Sequence, residues 1–389
     1  MASVDEIAET RQARLIAIST AATNRSLRLW RQMDFESLDD SWDRLEPSLL
    51  AQTDSAQQAI ALSADSYTSK LSQGYDFDEE PSKLNPLAFV GVDGSGRSSE
   101  SLLHGAVTTT KEAVGAGLSS VQSMQAGASY LATMTKTLFA DTARATDTVS
   151  SIGSGYTRYA RVVEPGACSR CVVLAGATQF KPFKRHPACK CSVQPIPAGE
   201  YFGNPQYSPS GVFHSMSEAE QDRAFGKAGA QAIRDGADVS QVVSARRGAS
   251  IGYASKMPSK SGWQRMKKTT IGYRKDGSPV QVYATIEGTT VRGQYGRAQR
   301  NTAATERRRG ARYTSTKRVR LMPETIMEIA GDNKALRQAF LRDAGYLDYV
   351  PRNGYDKANK WIGEIEEMRR EDRILVNRAT LKFGNFTLG

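Results

Sequence analysis

The sequence predicts a mainly α (α+β) chain. It should have an elongated helical N-terminal part, a small cysteine-bearing module, a short antiparallel β-hairpin region in a basic segment, and C-terminal helices. Three observations predict this. Apolar residues recur at helical spacing through much of the 389 residues, yet 39% hydrophobic and 8% aromatic content is low for one compact enzyme. All four cysteines fall in the 24 residues from 168 to 191. Charge is divided: residues 1–150 carry 12 basic and 20 acidic side chains, and residues 151–389 carry 40 and 21. Segment 246–320 alone holds 19 basic against 3 acidic residues. That asymmetry points to a polyanionic partner for the back half, nucleic acid before an anionic membrane surface.

The elements follow in order. Residues 3–33 read as a helix, with Ile7, Leu15, Ile18, Ala22 and Leu29 near one face and Arg11, Arg14, Arg25 and Arg28 largely elsewhere. Ser41 and Asp43 open a second helical stretch through Trp42, Leu45, Leu49, Ile60, Tyr67 and Leu71, with Pro47 in its first turns or at a break. Neither is apolar enough for a buried core helix, so each is expected to lie against a partner or to bundle loosely. Pro81, Pro86 and four glycines break the pattern over 72–100. Helical spacing returns from Ser101 to about Ser150, and Gly115, Gly117 and Gly127 divide it into two helices. After a loop at 195–215, Ser217 and Glu220 form a capping box that opens a helix over 218–235. Gly236 ends it, and a short helix runs from Asp238 to Arg247. Residues 269–293 alternate and carry Asp276-Gly277 as a hairpin turn. Helical patterns resume at Pro323–Ala330, Asn333–Ala344 and Asp356–Arg373. No run approaches the ~18 apolar residues of a membrane span. MASVDEIAET lacks the apolar core of a secretory leader, so folding is expected in a cytoplasm, where disulfides are rare.

Two segments could carry chemistry. In LAFVGVDGSGRSS (87–99), Gly91, Gly96, Arg97 and Ser98 have the spacing of a phosphate-binding loop, with Arg in place of Lys. Arg does not substitute for that compact charge, and the flanks are helical, so the segment reads as an exposed Asp-Gly turn.

The other segment is PGACSRCVVLAGATQFKPFKRHPACKCSVQPIP (165–197). Cys168 and Cys171 form one close pair. His186, Cys189 and Cys191 follow after a hairpin-sized stretch. Two close pairs separated this way suit tetrahedral zinc, each pair gripping from one side. Either Cys168, Cys171, His186 and Cys189 bind, or Cys191 replaces His186. The first set is favoured because His186-Pro187 fixes the chain direction into Cys189. The alternatives are two disulfides or four reduced thiols. With no open three-ligand site beside a Glu, the expected Zn2+ is structural. No nucleophile–base motif appears in either flank, so an enzyme is not expected.

At these residues the chain resembles the minor head proteins of tailed double-stranded DNA phages, the group typified by protein F of phage Mu (MuF-like), especially versions in phages of actinobacteria. Their C-S-x-C-V-x-L-A-G is matched by Cys168–Gly176, and R-H-P-x-C-x-C by Arg185–Cys191, with Pro195 and Pro197 following. The Asp93-Gly94 turn, the Thr-x-x-Ala-Asp-x-x-Arg stretch ending at Arg144 and Ala230–Gly248 are also similar, so the resemblance spans roughly 85–250. Lys190 stands where Arg or Asp is more usual, which removes no candidate ligand.

The resemblance implies a minor capsid protein inside the head near the portal vertex, made in the bacterial host cytoplasm and present in few copies per virion. Its role would be head assembly and genome packaging or delivery. Partners would be portal protein, major capsid protein or both, and packaged double-stranded DNA, with no membrane. The expected organisation is an acidic helical docking region (1–97), a helical core (98–160), a zinc-binding module (161–200), loop and helices (201–260), a basic hairpin or arm (261–320) and a C-terminal helical region (321–389). Non-specific phosphate contacts are expected from Arg246, Arg247, Lys267, Lys268, Arg307, Arg308, Arg309, Lys317, Arg318 and Arg320. The alternative is a zinc-stabilised cellular nucleic-acid-binding protein. It would need a recognition helix with base-reading side chains, and none stands out.

Overall fold

Helix α1 (Val4–Trp30) starts where Ser3 accepts the Glu6 amide and the Glu6 carboxylate accepts the Ser3 amide at 2.8 Å. This reciprocal cap satisfies two backbone donors that helix geometry leaves over. A computed structural model describes residues 2–78, 84–163, 166–180, 189, 191–200, 207–252, 268–273, 277–285, 305–307, 314–316 and 320–347. The chain divides into two units: 1–167 with 174–208, and 168–173 with 209 onward.

In the first unit, α1 packs on α2 (Leu38–Ala61), α3 (Ala64–Tyr75) and the long α5 (Ser120–Gly153). Trp30, Met33, Trp42, Leu49, Leu103, Ala106, Val107 and Leu131 form one buried cluster. Ala22, Ala56, Ile60, Phe139 and Ala143 form a second, and Tyr67, Leu71 and Tyr156 a third. The front helices therefore build a core with each other and with α5, not only a surface for a partner. Pro47 lies inside α2, beyond the first turns where the sequence reading put it. It sits on the exposed face, so the carbonyl it leaves without a helical donor is on the solvent side. The single stretch expected through Leu71 is two helices, broken at Leu62–Ser63. The Ser63 hydroxyl donates to the Ile60 carbonyl at 2.7 Å, a side-chain bond of the kind that competes with helix continuation.

Two helices were expected over 101–150, and α4 (Ser99–Gly115) and α5 are found. Gly127, however, lies within α5 and does not break it. A Cβ there would collide with Thr110 and Trp30 and come within 2.8 Å of the Ala106 carbonyl. The glycine is what lets α5 approach α4 and α1. Gly127→Ala is expected to lower stability by about 1–3 kcal/mol, the usual cost of overpacking. Urea denaturation checks this, and an unchanged midpoint would show that the helices shift freely.

The loop ahead of α4 is pinned by Gln57. Its side chain donates to the carbonyls of Phe89 (3.0 Å) and Val92 (2.9 Å) and to Thr142 Oγ1 (2.9 Å), and accepts from Gly91 N (3.0 Å). Strands β1 (Arg158–Val162) and β2 (Ser192–Ile196) pair antiparallel, Arg158 opposite Ile196 and Val162 opposite Ser192.

The second unit holds α6 (Ser169–Val172), α7 (Pro209–Ser215), α8 (Glu218–Phe225), α9 (Lys227–Arg234) and α10 (Val239–Gly252). The capping box at Ser217 forms as expected. The single helix expected over 218–235 is split at Gly226, whose φ of 71° leaves the helical region. A Cβ there would strike the Arg246 guanidinium. β3 (Thr269–Tyr273) and β4 (Pro279–Val282) make the expected antiparallel pair. β5 (Ala284–Thr285) pairs with β8 (Arg320–Leu321), and β6 (Thr305–Glu306) with β7 (Ser315–Thr316). Helices α11 (Pro323–Ala330) and α12 (Lys334–Asp343) match the sequence reading, and the helix expected at 356–373 lies outside the described residues. Phe213, Phe225, Ile233, Val242, Ile326, Phe340 and Tyr346 are buried, and Phe213 meets Phe225 edge-on at 5.3 Å. The fold is thus mainly helical with small antiparallel strand pairs.

Candidate metal centre

The first cysteine pair sits on one turn of helix. Cys168 is the N-cap of α6, and its carbonyl accepts from Cys171 N at 2.9 Å and Val172 N at 3.2 Å. The second pair leads directly into β2. Residues two apart in extended chain face the same way, so Cys189 and Cys191 can present both thiols to one side. Their backbone is held by Arg144 of α5, whose Nη1 donates to the carbonyls of Cys189 (3.3 Å) and Cys191 (3.2 Å). Asp141, one turn earlier on α5, accepts from Arg144 Nη2 at 2.7 Å and orients the guanidinium. Two residues beyond Cys191, the Val193 carbonyl accepts from the Tyr67 hydroxyl at 2.9 Å. The C-x-C segment is therefore fixed from α3 and α5, far away in sequence.

The result is a buried thiol cluster. The Sγ atoms of Cys171, Cys189 and Cys191 all lie within 4.8 Å of one another, and each residue is at most 3% exposed. Tetrahedral zinc with Zn–S near 2.3 Å requires S···S separations of about 3.8 Å. Three thiols this close, shielded from water, can hold a metal ion, and soft sulfur donors select zinc or another thiophilic metal over calcium or magnesium. Among the described residues no disulfide joins the four cysteines.

The cluster contains Cys191, which the favoured ligand set left out in favour of His186. The Cys191 sulfur lies within 4.8 Å of those of Cys171 and Cys189. Cys168 is exposed and is not part of the three-residue group, and His186 lies outside the described residues. The sequence reading assigned no role to Arg144 and Asp141. Their signal was the Asp-x-x-Arg spacing, which stacks the two side chains on one helix face.

The expected DNA contacts fare differently. Arg320 is 1% exposed, so its expected role in binding DNA is corrected. It donates to the carbonyls of Ala344 (2.7 Å) and Gly345 (3.0 Å) and to Gln241 Oε1 (3.1 Å), and it stacks on Tyr346 at 3.8 Å. A guanidinium so enclosed organises the unit and does not reach phosphate. Arg246 pairs with Glu324 at 2.7 Å, and Lys268 with Glu328 at 2.8 Å while lying over the Tyr283 ring. Arg307 is exposed. The Arg247 side chain, Lys267, Arg308, Arg309, Lys317 and Arg318 lie outside the described residues.

The near-miss phosphate loop is closed on itself. Asp93 Oδ1 accepts from the amides of Ser95 (2.8 Å) and Arg97 (3.1 Å), and Oδ2 from the Arg97 guanidinium. Burial raises the Asp93 pKa, but these hydrogen bonds outweigh it and hold the carboxyl below its ordinary range. The amides that would cradle a phosphate already serve the aspartate. Among the described residues no helix is long and apolar enough to cross a membrane. Comparison with protein-family models, curated proteins and solved structures gives no match.

Proposed function

We propose that this chain is a minor capsid protein at the portal vertex inside a tailed-phage head. The cysteine window carries the reading: its motif resembles the MuF-like pattern, and three of its cysteines converge in one buried cluster. In this reading the cluster takes structural Zn2+, with Cys168 or His186 as fourth ligand. The metal contributes folding energy and rigidity, and no chemical step is assigned to it. The helical front of the chain docks on portal or capsid protein. The basic back contacts packaged DNA through phosphates, so binding is sequence-independent and falls with salt.

Arg320 is withdrawn from the contact set because it is buried, so the phosphate slope should rest on the other basic positions. Raising salt from about 50 to about 200 mM should weaken duplex binding by the full-length chain about a hundredfold, as about four phosphate contacts would give. Replacing Arg307, Arg308 and Arg309 together by alanine should flatten that slope by nearly three contacts. Filter binding reads both effects, and salt-independent binding would remove the DNA role. A cryo-EM map of the portal vertex lacking this chain would remove the proposed location.

A further inference from the structure

A groove of about 310 Å³ runs between α1 and α3, lined by Thr10, Arg11, Arg14, Ser63, Ser66 and Lys70, with Ile7 and the Tyr67 ring as an apolar wall. We infer that this groove binds the phosphate group of a small organic phosphate. The site is independent of the thiol cluster and of the proposed virion role.

The charge at the groove runs against its surroundings. Residues 1–97 carry 9 basic and 16 acidic side chains, yet three of the nine cations meet here. Arg11 is buried, and its charge is balanced by Asp147 at 2.6 Å. Arg14 and Lys70 are exposed and have no carboxylate partner among the described residues. Their two positive charges match a phosphate dianion. The one carboxylate in the lining, Glu6, is engaged by the Ser3 amide at the α1 cap.

The donor inventory selects phosphate over carboxylate. Arg11 donates to both Asp147 oxygens, to Ser63 Oγ and to the Ile60 carbonyl, which fixes its plane. Four of its five N–H groups are then used, and one on Nη1 remains. Arg14 adds five donors and Lys70 three, and the hydroxyls of Thr10 and Ser66 add more, while the Ser63 hydroxyl is already spent on the Ile60 carbonyl. Donors outnumber acceptors in this lining, which suits a group with three terminal oxygens better than one with two. The groove has more room than a bare phosphate fills, and Ile7 and Tyr67 offer the remainder an apolar surface.

The test is calorimetric titration of the full-length chain with phenyl phosphate and with inorganic phosphate, ionic strength being balanced with chloride. Saturable binding is expected, tighter for phenyl phosphate. The double variant Arg14→Ala/Lys70→Ala should weaken it about tenfold or more while melting in chloride like the parent, since both side chains are exposed. If that variant destabilises the chain, Arg14→Gln with Lys70→Gln keeps a polar, helix-compatible side chain without the charge and should show the same loss. Unsaturable binding, or equal affinity in the charge-removed variants, would overturn the site. Inorganic phosphate binding as tightly as phenyl phosphate would overturn the organic ligand.

Discussion

Replacing Cys171, Cys189 or Cys191 by serine is expected to remove bound metal and to cost the chain several kcal/mol of stability. Serine keeps the size of the side chain, but its hydroxyl stays protonated at neutral pH and is a poor ligand. Metal binding at such sites is coupled to folding, with apparent values of about 10–16 kcal/mol in zinc-finger peptides. Here β2 and the C-x-C backbone are also held by Arg144 and Tyr67, so the loss should be smaller and centred on the cysteine window. Metal analysis should give one zinc per chain for the parent protein and a small fraction of that for each variant. A chelator should lower the parent's melting temperature and leave the variants' unchanged. Because ligating thiols must lose their protons, zinc should also dissociate as pH falls. Cys168→Ser and His186→Ala then separate the two choices of fourth ligand, as only the true ligand should weaken zinc affinity strongly. Full zinc content with unchanged melting in Cys171→Ser/Cys189→Ser would sink the site.

The second large effect is expected at Arg11 and Asp147, an ion pair whose side chains are 3% and 1% exposed. Removing one partner leaves the other charged and buried, which typically costs about 3–5 kcal/mol. Arg11→Met and Asp147→Leu should each show that loss in urea denaturation. The double variant should recover most of it, because two apolar groups have no charge to desolvate. A double-mutant cycle with no coupling would mean that Ser63 and the Ile60 carbonyl, not Asp147, are the partners that matter.

The pair also predicts a pH signature. Burial pushes the Asp147 carboxyl up from its ordinary range, and the Arg11 charge and hydrogen bonds pull it down less than burial raises it. A raised folded-state pKa means that the native state holds the proton more tightly than the unfolded chain. The associated stability is present in acid and is lost as pH rises through the raised value. Arg11→Met removes the pull downward and raises the carboxyl further. That variant should therefore be closest to the parent near pH ~4 and fall behind it toward neutrality. A penalty independent of pH would show that Asp147 does not titrate in the folded chain.

Arg11 also marks where periodicity misled. On hydropathy alone it belongs to the solvated side of α1, yet it is 4% exposed, and Gln12, Thr23 and Ser26 of the same helix are buried too. The inner face of α5 is likewise rich in buried polar groups, including Thr135, Thr142, Thr146, Asp147 and Ser150. A core that satisfies polar groups against one another leaves little hydrophobic signature, so α1 and α2 read as loose docking helices. Their burial depends on partners tens of residues away, as when Arg11 meets Asp147.

Some features depended only on local chemistry and were fully legible. The capping box at Ser217 satisfies backbone donors within one turn, so helix α8 starts where that spacing says. The alternation at 269–282 sets an antiparallel pair, because side chains two apart share a sheet face. The cysteine spacing marked the window in which three buried thiols converge, since ligands for one ion must come in close pairs. What the sequence could not show was that Cys171, Cys189 and Cys191 converge, or that Arg320 is buried among its basic neighbours. Those outcomes depend on which backbone Arg144 reaches and on which aromatic ring and carbonyls enclose a guanidinium. Such contacts join residues 24 to 47 positions apart, and only packing brings them within bonding distance.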